Sequence, residues 1–189
     1  MSRPPVRVRP AGPADRDQVW PLARALATSY VVERPAFNRS FAALLTDPTA
    51  LLLIARHPAA PSGPDPVSPT DPNPRNPSPS NPGDPTTPSD PSEEGSGGAG
   101  SAGGEVVGYL LATSHPAFHA NGLVAWVEEV MVAEPARGAG VGRQLMAAAE
   151  AWACRRGARY VALATRRAAP FYRALGYEDS AVYFKKPLG

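Results

Sequence analysis

WVEEVMVAEPARGAGVG, residues 126–142, is an apolar run with two adjacent carboxylates that leads through a short turn into a glycine-rich helix start. Glycines at positions 138, 140 and 142 leave the backbone N–H groups uncovered, so that a ligand can approach them closely. A helix that begins here directs the positive end of its dipole at the same place. The stretch therefore predicts an anion site, and a phosphate-bearing cofactor is the expected ligand.

The common nucleotide-binding loops do not match this stretch. A dinucleotide fingerprint requires a glycine three positions after its second one, where this chain has Arg143. A P-loop requires Gly-Lys-Ser/Thr, and the only lysines are Lys185 and Lys186. What remains is the pattern Arg137-x-x-Gly140-x-Gly142 directly after a predicted strand.

A second segment, AAPFYRALGY at residues 168–177, carries another motif. This motif predicts a short helix that ends at Gly176. It consists of a small residue, then the pair Phe171 and Tyr172, and then a glycine followed by an aromatic residue. Together the two segments resemble the GNAT superfamily of acyl-CoA-dependent N-acetyltransferases. The resemblance extends over residues 105–189 by motif and over residues 1–56 by the order of elements.

Periodicity predicts the elements around these motifs. Strands are expected at residues 6–9, 50–56, 105–113, 124–132 and 159–165, and a last one at residues 181–185. Helices are expected at residues 14–30, 36–45 and 140–156, and a short one begins near Pro170. This order matches the fold class that the resemblance implies: α/β (α+β), with a GNAT-like mixed, splayed β-sheet flanked by helices. Members commonly have two further strands after the position of Gly176, whereas thirteen residues remain here.

The resemblance implies that the cofactor is acetyl-CoA and that backbone N–H groups bind it. Those of Val130, Met131 and Val132 are expected to bind the pantetheine arm and the thioester oxygen. The diphosphate is expected at the N–H groups of Gly138, Ala139, Gly140, Val141, Gly142 and Arg143. Arg137 either contacts a phosphate or caps the loop. Thr165 stands where many relatives have an asparagine that touches the cofactor, and its hydroxyl can still donate one hydrogen bond.

The implied reaction is direct attack of an amine on a thioester, which requires a base for the amine and an acid for the leaving thiolate. Tyr172 is the candidate acid, since an ordinary tyrosine (pKa about 10) protonates a thiolate (thiol pKa about 8.5) with little penalty. A core position beside Phe171 is the alternative. Glu128 and Glu129 are the candidate bases. The alternative for each is a solvated acid at a strand edge. Adjacent strand residues face opposite sides, so one of the two reaches the site, but a β-bulge would change which one.

Candidate residues for the amine pocket come from two places. His119 and Asn121 precede the strand at residues 124–132, and Tyr30 and Glu33 lie near the first two helices, where the superfamily builds its acceptor wall. No spacing of histidines, cysteines or acids suggests a metal, and none is expected.

Residues 57–104 differ in composition from the rest of the chain. They hold 13 of the 24 prolines and 8 of the 17 glycines, and almost no large apolar side chain. Such a segment does not bury enough surface to fold. We interpret it as a disordered low-complexity insertion, in the turn of a hairpin, within a single domain over residues 1–189. A docking site for a proline-binding domain is the alternative.

Charge and hydropathy limit which ligands, macromolecules and cellular locations are expected for this chain. The net charge is +2 although the insertion holds six acids and one base, so the remainder is basic, which suits a cofactor with several phosphates. Nucleic acid is not expected, because no arginine cluster alternates with exposed aromatic residues. No apolar run is long enough to span a membrane and no secretory signal is visible, so a cytoplasmic location is expected.

The expected acceptor is a small-molecule amine or a protein amino group, and a homodimer is compatible with the sequence. The alternative function is a non-catalytic acyl-CoA-binding sensor, or a scaffold with a proline-rich docking tract.

Overall fold

The structure, a computed structural model, describes residues 6–27, 30–58 and 104–188. The insertion predicted at residues 57–104 therefore lies almost entirely outside the described residues. The strands are β1 (Arg7–Pro10), β2 (Ala50–Arg56), β3 (Val106–Ala117), β4 (Gly122–Val132) and β5 (Val161–Leu163). The helices are α1 (Arg16–Leu26), α2 (Arg34–Thr46), α3 (Val141–Arg155) and α4 (Ala169–Arg173).

These strands form one sheet in the order β1-β2-β3-β4-β5. Neighbours from β1 to β4 are antiparallel, and β5 joins β4 in parallel. The two strands that flank the insertion pair with each other, from Ala50 opposite Thr113 to Arg56 opposite Val106. The predicted pairing of these strands and the predicted mixed sheet flanked by helices are both confirmed.

The sheet opens between β4 and β5. Their pairing begins where Ala125 faces Val161 and ends where Val127 faces Leu163. β4 continues to Val132 after β5 has ended, so its second half has no strand partner on the β5 side within the described residues. This gap is the splayed geometry that the resemblance implied.

Helices cover both faces of the sheet and form two cores. Alternate residues of β2 divide between them, because successive strand side chains point to opposite faces. Leu52 and Ile54 face α1 and α2, whereas Leu53 and Ala55 face α3. On the α3 side the helix buries one stripe, formed by Val141, Leu145, Met146, Ala149 and Ala153. In the part of the chain that the structure describes, no helix is both long and apolar enough to cross a membrane.

A buried carboxylate connects β1, β2 and the turn before α1. Asp15 is 1 % exposed and accepts hydrogen bonds of 2.8 to 2.9 Å from Arg9, Arg56 and the N–H of Gly12. Burial by itself would raise the pKa of Asp15, but the hydrogen bonds and the nearby guanidinium charges outweigh it, and the pKa is lowered. The sequence analysis placed position 15 within the helix predicted at residues 14–30 and assigned it no ion pair.

Four predicted elements are wrong in extent or existence. β3 continues to Ala117, four residues beyond its predicted end. α1 ends at Leu26 and not at residue 30, because Ala27 adopts an extended backbone. β5 is limited to Val161–Leu163, shorter than residues 159–165. The last strand predicted at residues 181–185 does not form, and the side chains there are exposed. A strand needs a partner, and β5 presents an edge of only three residues.

Candidate active site

A β-bulge in β4 determines where the two adjacent glutamates point. Leu111 of β3 faces Glu129 and Ala112 faces Val127, so Glu128 is the extra residue. In a regular strand Glu129 would point to the same side as Val127, which packs in the α3 core. Because Glu128 is inserted, Glu129 instead lines a cleft on the α1 and α2 side.

Glu128 does not line this cleft. Its side chain is exposed and accepts a hydrogen bond from the Thr113 hydroxyl at 3.1 Å. The two carboxylates that the sequence left equivalent therefore occupy different environments, one in a cleft and one at the surface.

A buried tyrosine fixes the Glu129 carboxylate. Tyr109 of β3 is 2 % exposed, and its hydroxyl donates a hydrogen bond of 2.5 Å to Glu129 Oε2. Burial, followed by the charge of Glu129, raises the pKa of Tyr109, so the phenol stays protonated and remains a donor. The sequence analysis missed Tyr109. Its only signal was a single hydroxyl-bearing aromatic residue in an otherwise aliphatic stretch of β3.

Backbone groups of β4 face the gap beside β5. The Ala133 N–H donates to Val107 C=O, which makes these two residues a hydrogen-bonded pair of the antiparallel ladder. Because hydrogen-bonded and non-bonded pairs alternate, Met131 also points its peptide groups at β3. Val130 and Val132 then direct their N–H groups into the gap. Of the three amides predicted to bind the pantetheine arm, two are open to the gap and that of Met131 is not.

The loop after β4 exposes a second set of amides. Gly138 and Gly140 have φ angles of 76° and 80°, and a Cβ at either position would meet nothing within 4 Å. Among the described residues, the N–H groups of Gly138, Ala139 and Gly140 have no hydrogen-bond partner. Those of Val141, Gly142 and Arg143 belong to the first turn of α3, where N–H groups have no intrahelical partner. The loop therefore presents consecutive donors at the positive end of a helix dipole.

Two side chains predicted to contact the cofactor make local backbone contacts. Arg137 donates from Nε to the Val132 C=O at 3.1 Å, which holds the loop against the end of β4. Thr165 accepts a hydrogen bond of 3.0 Å from the Ala168 N–H at the start of α4. The Thr165 hydroxyl proton can still be donated elsewhere.

Gly142 has a packing role that the sequence analysis did not predict. A Cβ at this position would lie 3.1 Å from Cζ of Phe171. The glycine thus lets α4 pack closely on the first turn of α3. This contact joins the two motifs, which are distant in sequence.

Tyr172 lies beside this contact. Its ring is half-buried and packs edge-on against Phe171 and Tyr177, with ring centroids 5.0 and 5.9 Å apart. Burial raises the pKa of Tyr172. Its hydroxyl forms no hydrogen bond with any residue that the structure describes, so it is available to a ligand.

The four candidate acceptor residues separate into two groups. Glu33 lines the same cleft as Glu129, and Tyr30, which is 62 % exposed, directly precedes the cleft residue Val31. His119 and Asn121 lie in the β3–β4 connection, where His119 contacts the Tyr160 hydroxyl at 2.8 Å.

The β3–β4 connection is remote from Glu129. Along β3 it lies six residues beyond Leu111, the residue that faces Glu129. At the usual rise per residue this is about 20 Å. The structure therefore brings Glu33, but not His119 or Asn121, to Glu129. No group of histidines, cysteines or acids within the described ranges is arranged to hold a metal ion.

Comparisons with known proteins match both the motifs and the fold. A sequence model of the acetyltransferase (GNAT) family matches residues 70–177. A transcriptional regulator from Bacillus halodurans C-125 has a TM-score of 0.65 and 22% identity, covering 97% of this chain and 99% of that one. Glucosamine-6-phosphate N-acetyltransferase from Arabidopsis thaliana has a TM-score of 0.65 and 14% identity, over 97% and 99% of the chains.

Aminoglycoside N-acetyltransferase AAC(6')-Iy, solved in complex with CoA, has a TM-score of 0.65 and 16% identity, over 100% of this chain and 99% of that one. At such identities the likeness to these structures concerns the fold. No curated protein matches the chain by sequence.

Proposed function

The chain belongs to the GNAT family of acetyltransferases, and we propose that it transfers the acetyl group of acetyl-CoA directly to a primary amine of a small molecule or a protein. One observation carries the proposal. The Glu129 carboxylate, held by Tyr109, lies in a cleft and directly precedes the open amide of Val130. A base for the amine and a donor for the thioester oxygen are thus adjacent in sequence and on neighbouring surfaces. Two structural neighbours are named as N-acetyltransferases of amino sugars and aminoglycosides, which supports an amine as the acceptor.

The residues present fit acetyl-CoA. The loop amides of residues 138–143 would hold the diphosphate, because they are consecutive donors at the start of α3 and the space beside Gly138 and Gly140 is open. The N–H of Val132 would hold the pantetheine arm in the gap beside β5, and that of Val130 would bind the thioester oxygen. When bound, acetyl-CoA supplies an acetyl group activated as a thioester. Arg137 supports the loop through Val132, and Thr165 supports the start of α4.

Each proton of the reaction has a residue to carry it. Glu129 takes a proton from the substrate ammonium, which frees the nitrogen electron pair to form the C–N bond while the C–S bond breaks. The N–H of Val130 stabilises the negative charge that develops on the carbonyl oxygen. Tyr172 donates a proton to the departing sulfur and recovers one, through solvent, from the nitrogen, which loses its second proton as the amide forms. Burial raises the pKa of Tyr172, so the phenol is protonated at neutral pH. The products are an acetamide and a free thiol, and Glu129 then releases its proton to solvent.

The adjacent glutamates provide a matched pair of variants. Glu129→Gln removes the base without changing size and should lower turnover about 100-fold or more, the usual contribution of a general base. Glu128→Gln is the control, since Glu128 contacts only the surface hydroxyl of Thr113 among the described residues. Thiol release from acetyl-CoA would be measured with polyamines, aminoglycosides, amino acids and N-terminal peptides. Calorimetry would show whether both variants still bind acetyl-CoA.

Equal turnover in the two variants would remove Glu129 from the role of base. Binding of acetyl-CoA without thiol release from any amine would instead favour the sensor or scaffold function.

A further inference from the structure

The cleft that contains Glu129 has a mostly apolar wall. Its volume is about 820 Å³, and its sides come from α1, α2, β2 and β3. Aliphatic and aromatic side chains form most of the surface, among them Leu26, Val32, Phe37, Phe41 and Leu111.

Polar side chains are few, and only two of them, Glu129 and Glu33, are carboxylates. Among the described lining residues they are Glu129, Tyr109, Ser40 and Glu33. The Tyr109 hydroxyl is used by Glu129. No lysine, arginine or histidine of the described residues lines the cleft.

This lining discriminates between classes of amine. The carboxylates of Glu129 and Glu33 favour a cation, and without a basic residue the cleft does not pair with a phosphate. A polyhydroxylated amine would lose the hydrogen bonds of its hydroxyls to water and find few replacements. An aliphatic or aromatic body loses nothing by leaving water and packs on the wall.

We propose that the acceptor is a small primary amine on an aliphatic or aromatic body, with its ammonium group at Glu129 and its body along the apolar wall of the cleft. This inference rests on the proposed acetyl transfer to an amine and narrows its substrate class. It distinguishes this chain from the neighbours named for glucosamine 6-phosphate and aminoglycosides.

A homologous series of amines tests the proposal on the full chain. From propylamine to hexylamine, kcat/KM for acetylation should rise about fourfold for each methylene, the effect of burying one such group. Glucosamine, glucosamine 6-phosphate, an aminoglycoside and a lysine-containing peptide serve as comparators and should all be poorer acceptors than hexylamine.

A pair of valine variants tests the wall itself. Val32→Ser makes one lining position polar and should lower kcat/KM for hexylamine about fivefold. Val182→Ser is the control, because Val182 is 78 % exposed and does not line the cleft. Equal effects of the two substitutions would overturn the assignment of the wall.

Calorimetric titration of propylamine and hexylamine separates this inference from the proposed reaction. If no amine releases thiol, the proposed function fails, and the titrations alone test the cleft, where hexylamine should bind about 60-fold more tightly than propylamine. Equal dissociation constants would overturn the inference. If thiol is released but glucosamine, its phosphate, the aminoglycoside or the peptide exceeds hexylamine, the reaction stands and the inference is wrong.

Discussion

Replacing Gly140 by alanine is expected to weaken acetyl-CoA binding through the backbone of the loop. Gly140 has φ 80°, a left-handed conformation that costs other residues about 1–2 kcal/mol. The added methyl group meets nothing within 4 Å, so it creates no clash inside the protein. Relief of the backbone strain would turn the loop amides away from a bound phosphate.

The same helix supplies a matched control. Gly157 follows the other end of α3, about 25 Å from Gly140 at 1.5 Å per residue. Its φ is 74°, and a Cβ there also meets nothing within 4 Å. Gly157→Ala therefore introduces the same backbone strain without touching the loop.

The two variants should lose similar stability but differ in their affinity for acetyl-CoA. Both variants should lose about 1 kcal/mol of unfolding free energy, since the lower entropy of the unfolded alanine chain offsets part of the strain. Gly140→Ala should also lose one hydrogen bond to a charged phosphate, about 1.5–3 kcal/mol, which raises the dissociation constant of acetyl-CoA roughly 10- to 100-fold. Gly157→Ala should leave that constant unchanged.

Urea denaturation measures the unfolding free energy, and calorimetric titration with acetyl-CoA measures the dissociation constant. A dissociation constant for Gly140→Ala equal to that of Gly157→Ala would refute the assignment of the loop, whatever the change in stability.

Two further substitutions test the acid and the buried ion pair. Tyr172→Phe should lower turnover about 100-fold with little change in KM for acetyl-CoA, and unchanged turnover would exclude Tyr172 as the acid. Because burial raises the pKa of Tyr172, any loss of wild-type turnover through its ionisation should begin only above about pH 10. Asp15→Asn should lower the free energy of unfolding by about 3 kcal/mol at pH 7, since a neutral amide replaces the buried carboxylate that accepts hydrogen bonds from Arg9 and Arg56. The folded pKa of Asp15 is lowered, so its contribution is present above its unfolded pKa of about 3.9 and is lost as the pH falls through the folded value. Denaturation should show a smaller difference in unfolding free energy between wild type and Asp15→Asn at pH 3 than at pH 7. An equal difference at the two pH values would contradict this explanation.

Local sequence determined the elements and the loop. The glycines at 138 and 140 adopt the left-handed conformation that only glycine reaches without cost, and α3 begins at Val141, one residue after the predicted start. The pairing of β2 with β3 was predictable despite the long insertion, because two β-rich runs flanked a segment that could not fold. These features depend on backbone sterics and on the period of apolar residues, which a single segment contains.

Only the tertiary structure decided which side chains meet. Glu129 faces the cleft because Glu128 is an extra residue relative to β3, and a bulge is defined by the partner strand and not by the strand that carries it. The same pairing brings Tyr109 to Glu129 and leaves His119 and Asn121 at the far end of the hairpin. Residues 181–185 form no strand with any residue that the structure describes. The chain thus encodes its elements locally, whereas the register between strands, a relation between residues distant in sequence, assembles the site.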